Sequence, residues 1–222
     1  MNMFNHEHDI ESILFHQVRP NIALSPRIER ALCHINRVPF LPPSSQDVAY
    51  SDAPINLKHR CEMPFFVIAQ ILESLSVQAN ESACVVSAGT GYTATLLSEL
   101  CNSVEACESI SSLFARLLDT ARSNKKLTPV SVLSDAPVHI ILMDGGSIDT
   151  ISEQVLTKLL PAGRLAYIRP ISMHNETLDI PLCEVIILEK TLDGSFKNPH
   201  VLTQVHLPRL NNRKASNQSF LF

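Results

Sequence analysis

The stretch from Cys84 to Glu108 constrains the fold of this chain more than any other. An apolar run, Cys84-Val85-Val86, leads into Gly89-Thr90-Gly91. A helix-like segment follows from Tyr92 to Leu100, and a second short run, Val104-Glu105-Ala106-Cys107, ends on the acid Glu108. Strand, glycine turn, helix, strand and acid, in that order, are how an open parallel sheet takes hold of a nucleotide or nucleoside. Small residues let the backbone approach the ligand, and the acid about twenty residues on receives the ribose hydroxyls. A glycine pair alone also serves tight packing. The acid closing the next strand makes it a binding pattern.

The rest of the chain agrees with an alternating α/β domain. Residues 9–17 read as a short helix, broken at Gln17-Val18-Arg19-Pro20. Ser25-Pro26 opens a second helix with Ile28, Ala31, Leu32 and Ile35 on one face. Residues 36–57 are rich in Pro, Ser and Asp and read as an ordered, irregular loop. Pro64 starts a third helix in which Phe65, Ile68, Ala69, Leu72 and Leu75 recur at helical period. Strands are predicted at 84–88, 103–107, 130–133, 138–143 and 164–168, with helices at 92–101 and 111–123. Leu113, Phe114, Leu117, Leu118 and Ala121 are expected to face inward from the last of these helices, and Asp149 to cap a further one that runs to Leu160. Strands alternating with helices imply a parallel sheet covered on both faces. Residues 182–190 and 200–206 read as an antiparallel pair of strands at the edge. In such sheets ligands bind at the carboxyl ends of the strands. Ser87 to Gly91, Glu108, Ser134-Asp135 and Asp144 to Gly146 would meet there.

Composition excludes several classes. With 222 residues, 45% hydrophobic and 18% charged, the chain can bury a substantial core. Its net charge of −4 and lack of a basic run argue against a nucleic-acid partner. No apolar stretch reaches the roughly 20 residues of a membrane span. The polar start, Met1 to Ile10, has no apolar signal core, and six cysteines lie scattered without a paired spacing, so a cytoplasmic location with reduced thiols is expected. His6-Glu7-His8-Asp9 reads as a solvated terminus, Lys125-Lys126 as an exposed loop and His139 as a core histidine.

In its longer segments the chain resembles the protein-L-isoaspartate O-methyltransferase family. Gln17-Val18-Arg19-Pro20 is similar to a QxRP segment in a bacterial branch of that family, and Ile35 to Pro42 to its VPREAFVP segment. Ala49-Tyr50-Ser51-Asp52 with Pro54 to Leu57 is similar to AYADxPLPI, and Met63-Pro64 opens the helix after the substrate loop. Val85 to Leu97 resembles the glycine-rich first motif, and Ala106-Cys107-Glu108 the acid-ended second strand. Ala136 to Ile141 resembles APFDAII, Leu160 to Leu165 resembles LKPGGRLV, and the end Phe220-Leu221-Phe222 is similar to that branch as well. The resemblance implies a Rossmann-like, doubly wound sheet over residues 79–210. It implies an N-terminal helical and substrate-loop extension over 1–78 and a tail over 211–222. It also implies methyl transfer from S-adenosylmethionine to a damaged aspartyl carboxylate of a peptide or protein, a repair reaction. Ser87, Gly89, Thr90 and Gly91 would border the cofactor, Glu108 would bind its ribose, Asp135 would lie beside the adenine, and Glu62 and Met63 would belong to the substrate loop.

The chain also departs from that pattern. The family's first motif reads E-x-G-x-G-x-G-Y, whereas Ser87-Ala88-Gly89-Thr90-Gly91-Tyr92 lacks two residues, one glycine and the acid. Between Leu133 and Ala136 only Ser134-Asp135 stands for a longer segment around the adenine. Where the family has T-x-S-x-P, this chain has Arg60-Cys61-Glu62-Met63-Pro64. A carboxylate at Glu62 would repel an isoaspartyl carboxylate by about 4 kcal/mol at 4 Å and surface-like dielectric. Reduced, altered or lost activity is therefore expected. A non-catalytic descendant acting in protein interaction is the alternative, and Gly89-x-Gly91-x-x-Ala94 with Glu108 also matches the dinucleotide fingerprint of an NAD oxidoreductase.

Overall fold

The computed structural model describes residues 6–171 and 180–210, with side chains from Asp9 onward. The expectations for Met1 to Asn5, for the side chains of His6 to His8 and for the tail 211–222 lie outside the described residues. Helix α1 (His6–Ile13) runs into a wider π-type turn over Leu14–Val18, and α2 (Pro26–His34) follows. Ser25 and Pro26 start α2 as predicted, although the Ser25 side chain makes no cap; its N–H donates instead to Glu73 Oε2 at 2.7 Å. Two 3₁₀ turns, Val38–Phe40 and Pro43–Val48, carry the proline-rich segment to β1 (Ile55–Asn56), which pairs antiparallel with β2 (Cys61–Glu62). Helix α3 (Phe65–Leu75) leads to the main sheet.

That sheet comprises β3 (Ser82–Val86), β4 (Ser103–Cys107), β5 (Leu127–Val130), β6 (Val138–Met143), β7 (Leu159–Pro170), β8 (Leu182–Glu189) and β9 (His200–His206). Helices α4 (Tyr92–Leu100), α5 (Ser111–Ala121) and α6 (Glu153–Lys158) connect its early strands. The order is β5-β4-β3-β6-β7-β8-β9. The first five strands are parallel and the last two antiparallel, as the change in sequence character after residue 180 predicts.

Both faces of the central strands are buried. Ala83, Val85, Ile140 and Leu142 point into one apolar cluster with α1 to α5; Cys84, Val86, Ile141 and Met143 point into a second with Val155 of α6. Alternate residues of a strand face opposite sides, so a run apolar at every position is what such a sheet requires. The N-terminal helices share the first cluster with the sheet: Ile10, Ile28, Leu32, Ile68 and Leu72 belong to it.

Four local expectations need correction. The edge strand covers 127–130 rather than 130–133. Pro129 reads as a breaker, yet on an edge strand its missing N–H costs no ladder bond. Asp149 does not cap α6; Ser152 does, accepting from Val155 N–H at 3.4 Å, while Asp149 pairs with Arg209 at 2.6 Å. That helix ends at Lys158 rather than Leu160, because β7 begins at Leu159 and Pro161-Ala162-Gly163 bulges within it, where the register with β6 shifts. Leu118 is exposed, so α5 buries a narrower stripe through Leu113 and Leu117.

Candidate functional site

Val86 lies opposite Cys107 and Met143 in the three central strands, so the residues that follow β3, β4 and β6 emerge at one carboxyl edge. The turn Ser87 to Gly91, Glu108 and Asp144 are therefore neighbours. Gly89 N–H donates to Glu108 Oε2 at 2.9 Å, and Asp144 N–H to Val86 O at 2.9 Å. The turn is tight. Ser87 is left-handed at φ +59°, a conformation that costs a residue with a Cβ roughly 1–2 kcal/mol. Gly91, at φ +94°, begins α4 so close to α5 that a Cβ there would stand 2.7 Å from Leu117 Cδ1.

Glu108 is fully buried, and the residue that buries it is one the spacing did not point to. Arg60, between β1 and β2, donates from Nε to Glu108 Oε2 at 3.2 Å and from Nη2 to Oε1 at 3.0 Å. Gly89 N–H reaches Oε2, and Ile110 N–H reaches Oε1 at 2.9 Å. A carboxylate has about four acceptor positions, and these four donors fill them. The two readings of Glu108, ligand acid or helix-terminal acid, thus meet in one side chain: it serves the backbone ahead of α5 and holds a guanidinium as well.

The β1–β2 hairpin lies over the turn. Cys61 N–H donates to Gly145 O at 2.8 Å and Leu57 N–H to Arg60 O at 2.8 Å. A Cβ on Gly89 would sit 3.4 Å from Leu57 Cδ1 and 3.7 Å from Glu62 Oε1. Gly145, at φ +80°, lies against the stem of Arg60: a Cβ there would be 2.6 Å from Arg60 Cδ and 3.0 Å from Ser87 O. Gly145→Ala is expected to cost about 1–3 kcal/mol, through the left-handed backbone and the clash together. A urea midpoint unchanged from wild type would overturn that packing.

S-adenosylmethionine, the cofactor the resemblance implies, does not fit this arrangement. A ribose docking on Glu108 needs acceptor positions that Arg60 holds, and the glycine turn it would lie along is buried beneath Leu57 and Glu62.

Behind the hairpin is a buried polar cluster. Arg37 is fully buried; its Nη2 donates to Met63 O at 2.5 Å and lies 3.7 Å from Glu62 Oε2, and its guanidinium stacks 5.2 Å from the Tyr92 ring. Arg37 Nε and Nη1, Glu62 Oε2, Thr90 Oγ1 and Tyr92 Oη have no hydrogen-bond partner among the described residues. Burial, reinforced by the negative charge of Asp144, pushes the Glu62 carboxyl up to about 7 against the pull of Arg37. Burial likewise raises Asp144 to about 6, although it accepts from Thr93 Oγ1 and from Gly145 N–H at 2.7 Å.

The structure thus brings Ser87, Gly89, Thr90, Gly91, Glu108, Glu62 and Met63 to one place. Asp135 is exposed on the loop between β5 and β6. Its neighbour Ser134 is tied down instead: Lys158 Nζ donates to Ser134 O at 2.8 Å and Ala136 O at 2.7 Å, and pairs with Glu105. Arg60, Arg37 and Lys158 were missed by sequence reasoning. The one visible signal was a basic residue where the family pattern has threonine, two positions before Glu62. Among the described residues no three of His, Cys, Asp or Glu gather as a metal site, and no helix is long and apolar enough to cross a membrane.

Comparison with known proteins places this geometry. A protein-L-isoaspartate O-methyltransferase of Rhodopseudomonas palustris is 27% identical over 189 residues, covering 79% of this chain and 81% of that one. Its namesake from Aeropyrum pernix is 28% identical over 207 residues, covering 86% and 75%. A solved structure titled protein-L-isoaspartate O-methyltransferase superposes with a TM-score of 0.64 at 19% identity, over 88% of this chain and 64% of that longer one, and shares the fold. The family model described as Protein-L-isoaspartate(D-aspartate) O-methyltransferase matches residues 9–180, a span that takes in the N-terminal helices, the hairpin bearing Arg60 and the parallel strands. With that span matched in order, the chain belongs to the protein-L-isoaspartate(D-aspartate) O-methyltransferase family.

Proposed function

We propose that this chain is an S-adenosylmethionine-dependent O-methyltransferase acting on isoaspartyl carboxylates of peptides or proteins, a repair activity of the cytoplasm. In the conformation described here it is closed. The observation that carries the reading is the position of Glu108: at the end of β4, bonded to Gly89 N–H, it stands where the family's ribose acid is expected, in a chain that matches the family over residues 9–180. Ser87, Thr90 and Gly91 would border the cofactor and Asp135 its adenine, while Glu62 and Met63 would face the acceptor. Glu62 is drawn toward its neutral form by burial, which weakens the repulsion its charge would exert on an incoming carboxylate. No disulfide joins the six cysteines among the described residues, which agrees with a reducing compartment.

The test is transfer of a labelled methyl group to a peptide carrying one isoaspartyl residue, against the same peptide with normal aspartate. Base-labile label in the isoaspartyl peptide alone, suppressed by S-adenosylhomocysteine, is the expected result. No label with either wild type or Arg60→Ala would sink the proposal. It would favour the second reading, a non-catalytic family member acting in protein interaction, which the saturated Glu108 and the carboxylate at position 62 support. The dinucleotide reading leaves unexplained the N-terminal segments that the family match includes.

A further inference from the structure

Among the described residues, four donors reach Glu108. Two are backbone N–H groups that a family member with an open site could keep while a ligand is bound. The other two come from Arg60, and their geometry is that of a ligand. A ribose offers a carboxylate two O–H donors from neighbouring carbons; the Arg60 guanidinium offers Nε–H and Nη2–H, one to each oxygen. Its stem runs along Gly145, which also lies against the Ser87 carbonyl of the glycine turn. Its charge is further occupied by Ser109 Oγ at 3.3 Å from Nη2 and by His59 O at 3.3 Å from Nη1.

We propose that Arg60 is a built-in occupant of the ribose seat on Glu108, and that the β1–β2 hairpin must withdraw it before a nucleoside ligand can bind. This rests on the reading of Glu108 as the ribose acid. The hairpin suits the task. Its strands are two residues long, a size with little stability of its own; among the described residues its backbone meets the sheet edge at Cys61 and Gly145, and Ile55, Leu57 and Cys61 are buried in the first apolar cluster. Withdrawing it breaks that contact and exposes those apolar side chains as well. The price of withdrawal is the desolvated ion pair, which a ligand must replace, so the wild-type protein binds weakly.

Calorimetric titration with S-adenosylhomocysteine tests this on the full chain. Arg60→Ala and Arg60→Thr are expected to bind at least tenfold more tightly than wild type. Hydrogen exchange on wild type supplies a readout independent of the variants: saturating S-adenosylhomocysteine should speed exchange at the Leu57 and Cys61 amides. Equal affinity in all three proteins, with those amides unmoved, would overturn the role of Arg60 and leave the methyltransferase reading standing. Absence of binding in wild type and in folded variants would overturn both. Tighter binding by the variants without methyl transfer would uphold Arg60 and defeat the methyltransferase reading. Should the variants fail to fold, protection at Leu57 and Cys61 that does not change on adding S-adenosylhomocysteine to wild type overturns the proposal.

Discussion

Replacing Glu108 by glutamine is expected to destabilise the protein by about 3–5 kcal/mol, the range for leaving one partner of a buried ion pair uncompensated. Each oxygen of Glu108 accepts from one Arg60 nitrogen and one backbone N–H. The amide nitrogen of glutamine accepts nothing, so one of the two pairs of donors faces another donor, and the Arg60 charge stays buried without its partner. Against a total stability of about 5–15 kcal/mol, such a loss lowers a urea midpoint by 1 M or more at the usual slope of about 1–3 kcal/mol per molar. The double variant Arg60→Met with Glu108→Gln should recover a large part of it, because the unpaired charge goes with the arginine; a coupling energy above about 1.5 kcal/mol in the cycle is expected. The prediction separates two states of the site. An acid that waits for a ligand in an open cleft is destabilising if anything, and neutralising it is neutral or favourable. A loss below 1 kcal/mol would mean that Arg60 does not hold Glu108 in solution.

Much of the fold was legible because it rests on local rules. The unbroken apolar runs of β3 and β6 announce strands buried on both faces, and Ser25-Pro26 marks a helix start without help from the rest of the chain. The change of pattern after residue 180 announces the antiparallel edge. The errors arose where position in the sheet outweighs residue type. Pro129 is a breaker in the interior of a sheet and harmless at its edge. Asp149 and Ser152 are both good caps, and the choice fell to Ser152 because Arg209, 60 residues away, takes Asp149.

The site divides along the same line. Gly89, Gly91 and Glu108 are tied together by spacing across one strand–helix–strand unit, and the structure joins Gly89 to Glu108 by a hydrogen bond. Arg60 reaches Glu108 across 48 positions, from a hairpin that packs into the same apolar cluster as the N-terminal helices. Nothing in a lone loop arginine tells which carboxylate it will meet. Asp135 shows the converse: Ser-Asp is ordinary turn chemistry, and here the turn is pinned by Lys158 with the aspartate outside.

Between pH 5 and 8 the protein is expected to lose stability as pH rises, the opposite of the usual trend for carboxylates held in ion pairs. Glu62 and Asp144 are both fully buried, and desolvation raises them to about 7 and about 6, above the value of about 4 that such groups have in an unfolded chain. The folded state therefore binds more protons than the unfolded state across this window, and the stability slope with pH is negative. Below about pH 4 both carboxyls are protonated in either state and the advantage of the folded form is complete. It is lost as pH climbs through 6 and 7, and the curve flattens by pH 8. A carboxyl that folding makes tenfold harder to ionise contributes about 1.4 kcal/mol, so the whole decline amounts to several kcal/mol, shared by two groups that titrate together. Glu81, lowered in the folded state with Arg164 as partner, acts in the other direction, but only as pH falls further. Urea midpoints at pH 5, 6, 7 and 8 measure the slope directly. Glu62→Gln should flatten it, and the slope rather than the absolute midpoint is the readout, since the variant also takes the charge partner from Arg37. A wild-type midpoint that stays level or rises between pH 5 and 8 would show that water reaches these carboxyls. The hairpin carrying Glu62 would then lie open over the glycine turn, and Arg60 with it.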